Sequence, residues 1–341
     1  MTNNYKPFAL RAQRIFETLD WLKQDFGLTV SKNSPLEYIQ ELIRQEDTAC
    51  QYQNLSMSGR LASSQTRAIR GLEWLCERLQ RVRSSYSKQL KTAGQFKNRI
   101  KQMGVGIPSL CSTYNDFPNS VVFHLNASTD IFELVVGLAA LEMGNNVVFE
   151  SQQPPGQPDV RVTVEGVRWG FACKVSNTDN IEQHFHILTH AVTQTIKHLD
   201  RSLADRAVIV LCVQNVFSRP KMDYFSFSDA QANLERRTHE FVENVQRVIP
   251  EQRILDELLN RDSRIFPGAI IYFEDVFTII ESFSELILPG QPMMGQLTSQ
   301  PISYAQYVTF GNRGLVLSDV PTKLAIALTG PNTEEISSIY D

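Results

Sequence analysis

Asp159 and Lys174 are charged residues set in otherwise apolar, strand-like segments. The stretch QPDVRVTVEGVRWGFACKVS, residues 157–176, places Pro158 and Asp159 at the start of one segment and Lys174 near the end of the next. A lysine inside a strand costs desolvation free energy unless an anion meets it. A carboxylate holds a hard cation and a lysine stabilises developing phosphoryl charge, so this pair suits cleavage of a phosphodiester bond.

The same stretch predicts a β-hairpin that turns at Glu165 and Gly166, because apolar residues alternate on both sides of that dipeptide. Val160, Val162 and Val164 share one face of the first strand, which leaves Asp159 on the other. In the second strand, Lys174 shares its face with small residues, and these are Gly170, Ala172 and Ser176. We therefore expect open space around the lysine.

Glu133 lies in a predicted helix that begins near residue 128 and ends at Gly144. Gly137, Ala140 and Gly144 follow Glu133 along one stripe of this helix, so its backbone can approach the sheet closely on the side that bears the glutamate. Glu133 also lies three residues after Asp130 at a helix start, where it could act as a capping-box partner. The arrangement predicts that Glu133, Asp159 and Lys174 converge.

The elements around this hairpin follow the order helix, strand, strand, strand, helix, strand, which predicts an α/β fold with a mixed sheet flanked by helices. Residues 1–107 predict a helical, basic N-terminal region, and residues 108–341 an α/β domain with a core at 120–215 and a C-terminal extension. The chain has 341 residues, of which 42% are hydrophobic, so it can bury a large core.

Charge is distributed unevenly along the chain. Residues 1–104 hold 17 basic and 9 acidic side chains, and the rest holds 16 and 28. Such a basic field attracts polyanions in a salt-dependent way. The same helices could instead form a solvated bundle or a dimerisation arm. The nucleic-acid-binding candidates are Arg67, Arg70, Arg78, Arg81, Lys88, Lys91, Lys97, Arg99 and Lys101.

Glu133, the Pro158–Asp159 pair and the strand GFACKV together resemble the PD-(D/E)XK, or restriction-endonuclease-like, nuclease superfamily over residues 120–215. The resemblance implies a Mg²⁺- or Mn²⁺-dependent nuclease that cleaves DNA, with RNA as the alternative substrate. Asp159 and Glu133 would bind the metal, and the Cys173 carbonyl would complete its site. Lys174 would orient the attacking water and stabilise the pentacovalent phosphate.

The sequence departs from this family at Ala172, where the family has an acidic residue two positions before the lysine. A single carboxylate on the sheet would bind magnesium weakly, so another acid must substitute or catalysis is lost. The candidate substitutes are Glu133, Glu150 and Glu182, with Glu150 as a further metal ligand. The alternative is a catalytically degenerate domain that binds nucleic acid or assembles a complex.

Partners and location are expectations of the same kind. The resemblance implies a restriction or anti-phage role, with a homodimer through the N-terminal helices or a motor or sensor subunit as partner. The sequence has no run of 18 apolar residues and no apolar leader, which predicts a cytoplasmic protein without a membrane segment. The five scattered cysteines, without CxxC spacing, predict reduced thiols.

Overall fold

The computed structural model has an α/β fold, in which helices cover a mixed sheet. The structure describes residues 8–53, 63–93, 95–108, 110–112, 114–123, 127–149, 159–176, 178–213, 223–224, 227–281, 296–310 and 319–329.

The N-terminal region is helical, as predicted. Its helices are α1 (Phe8–Phe26), α2 (Pro35–Gln53), α3 (Ser63–Thr92) and α4 (Phe96–Met103). The hydroxyl of Ser34 accepts a hydrogen bond from the Glu37 backbone N–H at 3.2 Å, and the Glu37 carboxylate accepts one from the Asn33 N–H at 2.5 Å. These bonds satisfy amide groups that otherwise lack a partner at the start of α2. α3 bends at Tyr86, whose backbone leaves the helical region.

The central elements follow the predicted order. They are α5 (Ala127–Leu141), β1 (Asn145–Phe149), β2 (Val160–Val164), β3 (Val167–Val175), α6 (Ile181–Asp200) and β4 (Arg206–Cys212). β1, β2 and β3 pair antiparallel, whereas β3 and β4 pair parallel. Glu165 and Gly166 form the predicted turn with positive φ of 52° and 82°, a conformation that glycine adopts without strain.

The C-terminal part extends the sheet. It consists of β5 (Asp223–Tyr224), α7 (Phe227–Val248), α8 (Glu251–Ile254), β6 (Ile265–Glu281), β7 (Gln296–Val308) and α9 (Asp319–Thr329). The described strands are ordered β1-β2-β3-β4-β6-β5, and β7 pairs antiparallel with β6. The sequence predicts strands near AIIYF and YVTFGNRGLVLSD. β6 includes the first segment, whereas β7 ends at Val308, the second residue of the second segment, and residues 311–318 lie outside the described residues. β6 and β7 form a hairpin of 17 and 13 residues.

Helices cover both faces of the sheet. One buried cluster packs the helices α1 through α5, together with α9, against the inward residues of β2 and β3. The other packs α6, α7 and α8 against β4 and β6. The first cluster includes residues from both ends of the described chain, from Phe8 of α1 to Leu328 of α9. The N-terminal helices therefore share a core with the sheet, across residue 107. The division of the chain into two domains at that residue stays a prediction.

Gly137 lets α5 lie close to the sheet, as its stripe of small residues predicted. A Cβ at this position would meet the ring of Phe149 on β1 at 2.1 Å, well inside van der Waals contact. Phe149 is fully buried, so its ring can make room only if its packed neighbours shift as well. This close approach brings the buried face of α5, including Glu133, against β2 and β3.

Arg78 of α3 joins the N-terminal helices to the C-terminal end of α9. Its guanidinium donates hydrogen bonds to the Ala327 carbonyl at 3.3 Å, to the Ser303 hydroxyl at 3.0 Å and to the Leu328 carbonyl. Arg78 is 2% exposed. A buried arginine here satisfies carbonyl groups that the last turn of a helix leaves without partners.

We expect Arg78→Met to lower the free energy of unfolding by about 2–3 kcal/mol, because acceptors at the end of α9 lose their donor while buried. Urea denaturation measures the change. Arg83→Met is the matched control, since Arg83 lies on the same helix but is exposed, and it should cost less than about 1 kcal/mol. Equal losses in the two variants would contradict this role of Arg78.

Candidate functional site

Asp159 and Lys174 meet where β2 begins and β3 ends. The Lys174 Nζ lies 3.6 Å from Asp159 Oδ2, and the same oxygen accepts a hydrogen bond from the Cys173 backbone N–H at 2.7 Å. The antiparallel register, with Val160 opposite Phe171, brings Asp159 level with Ala172, and Lys174 lies two residues further along β3 on the same face of the sheet. Both side chains remain partly accessible, with 19% of Asp159 and 22% of Lys174 exposed. The pair can therefore contact a molecule that approaches from solvent.

Glu133 and Asp130 face this pair from the first two turns of α5, and Arg99 of α4 bridges them. The Arg99 guanidinium lies 2.8 Å from Asp130 Oδ1 and in direct contact with Glu133 Oε2. Asp130, Glu133 and Arg99 are each less than a tenth exposed. Three carboxylates thus share a largely buried space with two cations, the Arg99 guanidinium and the Lys174 ammonium.

Electrostatic interactions link the five groups into one cluster. Burial, together with the negative charge of Asp159, raises the pKa of Glu133 to about 8, although Arg99 and Lys174 act in the opposite direction. Burial also raises the pKa of Asp159, against the lowering effects of Lys174 and of the Cys173 N–H. The pKa of Asp130 is raised by burial and partly offset by Arg99. The positive charges of Arg99 and Lys174 are therefore not enough to offset burial, and the three carboxyl groups ionise at a higher pH than usual.

The chemistry of these carboxylates fits a divalent cation. Neither carboxylate oxygen of Glu133 receives a hydrogen bond of normal geometry, although Arg99 touches one of them, and Glu133 is 1% exposed. Carboxylate oxygens whose negative charge is not fully compensated by nearby cations suit Mg²⁺ or Mn²⁺. In the described part of the chain, however, no three acidic, histidine or cysteine side chains converge as metal ligands. Glu133 and Asp159 would hold the ion, with Asp130 beside them.

The substitutes for the missing acid at position 172 have different fates. Ala172 is buried in β3 and offers no ligand. Glu182 lies on the exposed surface of α6, where it pairs with Arg253 at 3.1 Å, so it is engaged away from the cluster. Glu150 lies outside the described residues. Glu133 is the one of the three that the structure brings to Asp159.

The sequence pattern does not place Asp130 at the site, and it places Arg99 among the nucleic-acid-binding candidates. The pattern makes Asp130 a capping partner of Glu133, whereas in the structure Asp130 pairs with Arg99. A signal for Arg99 was present, because it lies within the apolar stripe formed by Phe96, Ile100 and Met103 on α4. A charge in a buried stripe indicates an internal partner.

The nine basic candidates divide into two groups. Arg67 pairs with Asp116, Arg70 with Glu73, Arg81 with Glu142, and Arg99 with Asp130 and Glu133, while Arg78 binds carbonyls of α9. The charges of these arginines are engaged within the protein. The second group consists of exposed lysines on α3 and α4, and these are Lys88, Lys91, Lys97 and Lys101. Lys91 also lies 3.3 Å from Asp25.

Comparisons with known protein families, with curated proteins and with solved structures found no match to this chain. Among the helices that the structure describes, none combines the length and the apolar character needed to cross a membrane. The chain is an α/β protein, and the charge cluster around Glu133, Asp159 and Lys174 is its candidate functional site.

We expect the wild type to lose stability as the pH rises from about 5 to 8, and Glu133→Gln to flatten this slope. In this window the unfolded chain has ionised Glu133, whereas the folded protein, where the Glu133 pKa is about 8, keeps it protonated. The folded state binds more protons, so stability falls with pH and levels off above pH 8. The slope should differ by up to about 1 kcal/mol per pH unit, measured by urea unfolding.

Glu235→Gln, at an exposed position of α7, is the matched control and should keep the wild-type slope. Identical slopes for wild type and Glu133→Gln would show that the Glu133 carboxyl does not take up a proton on folding.

Proposed function

We propose that this chain is a divalent-cation-dependent nuclease of the restriction-endonuclease-like type, which cleaves DNA in preference to RNA. One observation carries the proposal: Asp159 and Lys174 lie 3.6 Å apart on adjacent strands, with the buried carboxylate of Glu133 facing them from α5. The order α5, β1, β2, β3, α6, β4 supports it, because it agrees with the core of that superfamily. Restriction or anti-phage defence is the biological setting that the same resemblance suggests.

Each residue of the cluster has a distinct role in this proposal. A bound Mg²⁺ or Mn²⁺ would neutralise the phosphoryl oxygens and lower the pKa of a nearby water. Asp159 and Glu133 would hold that ion, and the Cys173 N–H would fix the Asp159 carboxylate in place through its 2.7 Å hydrogen bond. The Lys174 ammonium, partly open to solvent, would contact the scissile phosphate and stabilise its extra negative charge.

A second candidate function is a nucleic-acid-binding domain without catalysis. Two observations favour it: Ala172 supplies no ligand, and the Arg99 guanidinium already compensates Glu133 and Asp130. In that case the exposed lysines of α3 and α4 would still bind phosphate, but the charge cluster would only stabilise the fold. Homodimers and a motor or sensor partner remain proposals for either function.

We expect the wild type to nick supercoiled plasmid DNA with Mg²⁺ or Mn²⁺, and Asp159→Asn and Lys174→Met each to lower the rate by about 10²-fold or more. Loss of a group that stabilises transition-state charge has an effect of this size. Agarose gels with plasmid and single-stranded DNA measure the rates. EDTA should abolish cleavage.

The matched controls are Asp205→Asn and Lys323→Met, which change the same residue types at exposed positions. Asp205 lies directly before β4, and Lys323 lies on α9. Both should keep the wild-type rate. Cleavage that survives in Asp159→Asn and Lys174→Met would contradict the proposed site. Retained DNA binding without cleavage by the wild type would favour the second candidate.

We expect Lys97→Gln with Lys101→Gln to weaken DNA binding and to reduce the slope of log K against log salt by about 2, because each lost phosphate contact removes about 0.9 from that slope. Fluorescence anisotropy at several salt concentrations measures it. Lys197→Gln with Lys323→Gln, two exposed lysines on α6 and α9, is the matched control. Equal slopes in both double variants would place the nucleic-acid contacts elsewhere.

A further inference from the structure

Arg99 connects the N-terminal helices to the candidate site. It projects from the buried stripe of α4, between Phe96 and Met103, and its side chain is 7% exposed. One guanidinium nitrogen lies 2.8 Å from Asp130, and another contacts Glu133. An arginine that bridges two buried carboxylates supplies the positive charge that their burial requires.

We propose that the Arg99 guanidinium stands in for a divalent cation, so that Arg99 and the ion compete for the carboxylate of Glu133. The proposal rests on the function proposed above for the same cluster. Arg99 would then set the affinity of the site for the ion. The sequence motif and its spacing do not place Arg99 at the site. Arg99 is a positioning residue here, because it acts on Glu133.

The charge balance explains why the two cations exclude each other. Asp130, Glu133 and Asp159 carry three negative charges when ionised, and Arg99 and Lys174 carry two positive charges. A divalent ion added while Arg99 and Lys174 both stay in place would give this largely buried cluster an excess of positive charge. With Arg99 displaced, the ion and Lys174 would together balance the three carboxylates.

The geometry agrees with this competition. Arg99 contacts Glu133 Oε2, an oxygen that a metal ion would need, while no described residue donates a hydrogen bond to Glu133 Oε1. Asp159 is engaged separately, by Lys174 and the Cys173 N–H. A phosphate group that enters beside Lys174 would offer the guanidinium another bidentate partner. Nucleic acid should therefore raise the affinity of the wild type for the ion.

The test removes the guanidinium and measures whether a cation replaces it. We expect Arg99→Gln to unfold at a lower temperature than the wild type without divalent ions, because three carboxylates then face Lys174 alone. Addition of Mn²⁺ at about a hundredfold over its Kd should raise the Tm of Arg99→Gln by about 5 °C, and that of the wild type by much less. Electron paramagnetic resonance should count one bound Mn²⁺ per chain.

The double variant Arg99→Gln with Glu133→Gln is the matched control. It should lose the Mn²⁺ response, because the ion then lacks the carboxylate for which the two cations compete. If Arg99→Gln does not fold without metal, Arg99→Lys takes its place, since an ammonium keeps a charge but cannot bridge two carboxylates. Arg99→Lys should then show the same Mn²⁺-dependent rise in Tm, reduced in size.

A Tm for Arg99→Gln or Arg99→Lys that Mn²⁺ raises no more than the wild-type Tm would overturn the inference. This outcome is separate from failure of the proposed function. Plasmid cleavage by the wild type with no Mn²⁺ response in the Arg99 variants would reject the competition and leave the nuclease. A Mn²⁺ response in Arg99→Gln, with no cleavage by any variant, would establish the ion site and reject the nuclease.

Discussion

The buried charge cluster between α4, α5 and the β2–β3 hairpin imposes the main constraint on this structure. Glu133 can remain in the core only while a positive charge or a proton compensates it, and Arg99 supplies that charge from a helix of the N-terminal region. The N-terminal helices are thereby held on the sheet by ion pairs as well as by apolar packing. Removing either partner would leave the other charged and buried, which is costly.

The residues of the cluster differ in their exposure to solvent. Glu133 and Arg99 lie within the core, whereas about a fifth of Asp159 and of Lys174 is accessible to solvent. A phosphate from solvent can reach the outer pair directly, while the inner pair determines how negative the site is. Burial of polar groups lowers stability locally, and groups with shifted pKa values cluster at functional sites in proteins.

The sequence predicted the hairpin, the α/β class and the convergence of Glu133 with Asp159 and Lys174, because these follow from alternation and from the Gly137 stripe. It did not predict the partners of the arginines. Charge alone makes Arg78 and Arg99 candidates for binding nucleic acid, whereas their acceptors, at the end of α9 and the start of α5, come from distant parts of the chain. Local patterns give the position of a charge on a helix, and only tertiary packing gives its counter-charge.

We propose that this cluster is a cation site that acts on phosphodiesters. Anomalous diffraction from wild-type crystals grown with Mn²⁺ and a short DNA oligonucleotide would locate the ion. We expect one Mn²⁺ peak in contact with the carboxylates of Asp159 and Glu133, a DNA phosphate beside Lys174, and Arg99 moved off Glu133. Bound DNA with no Mn²⁺ peak there, and with Arg99 still paired to Glu133 and Asp130, would contradict it.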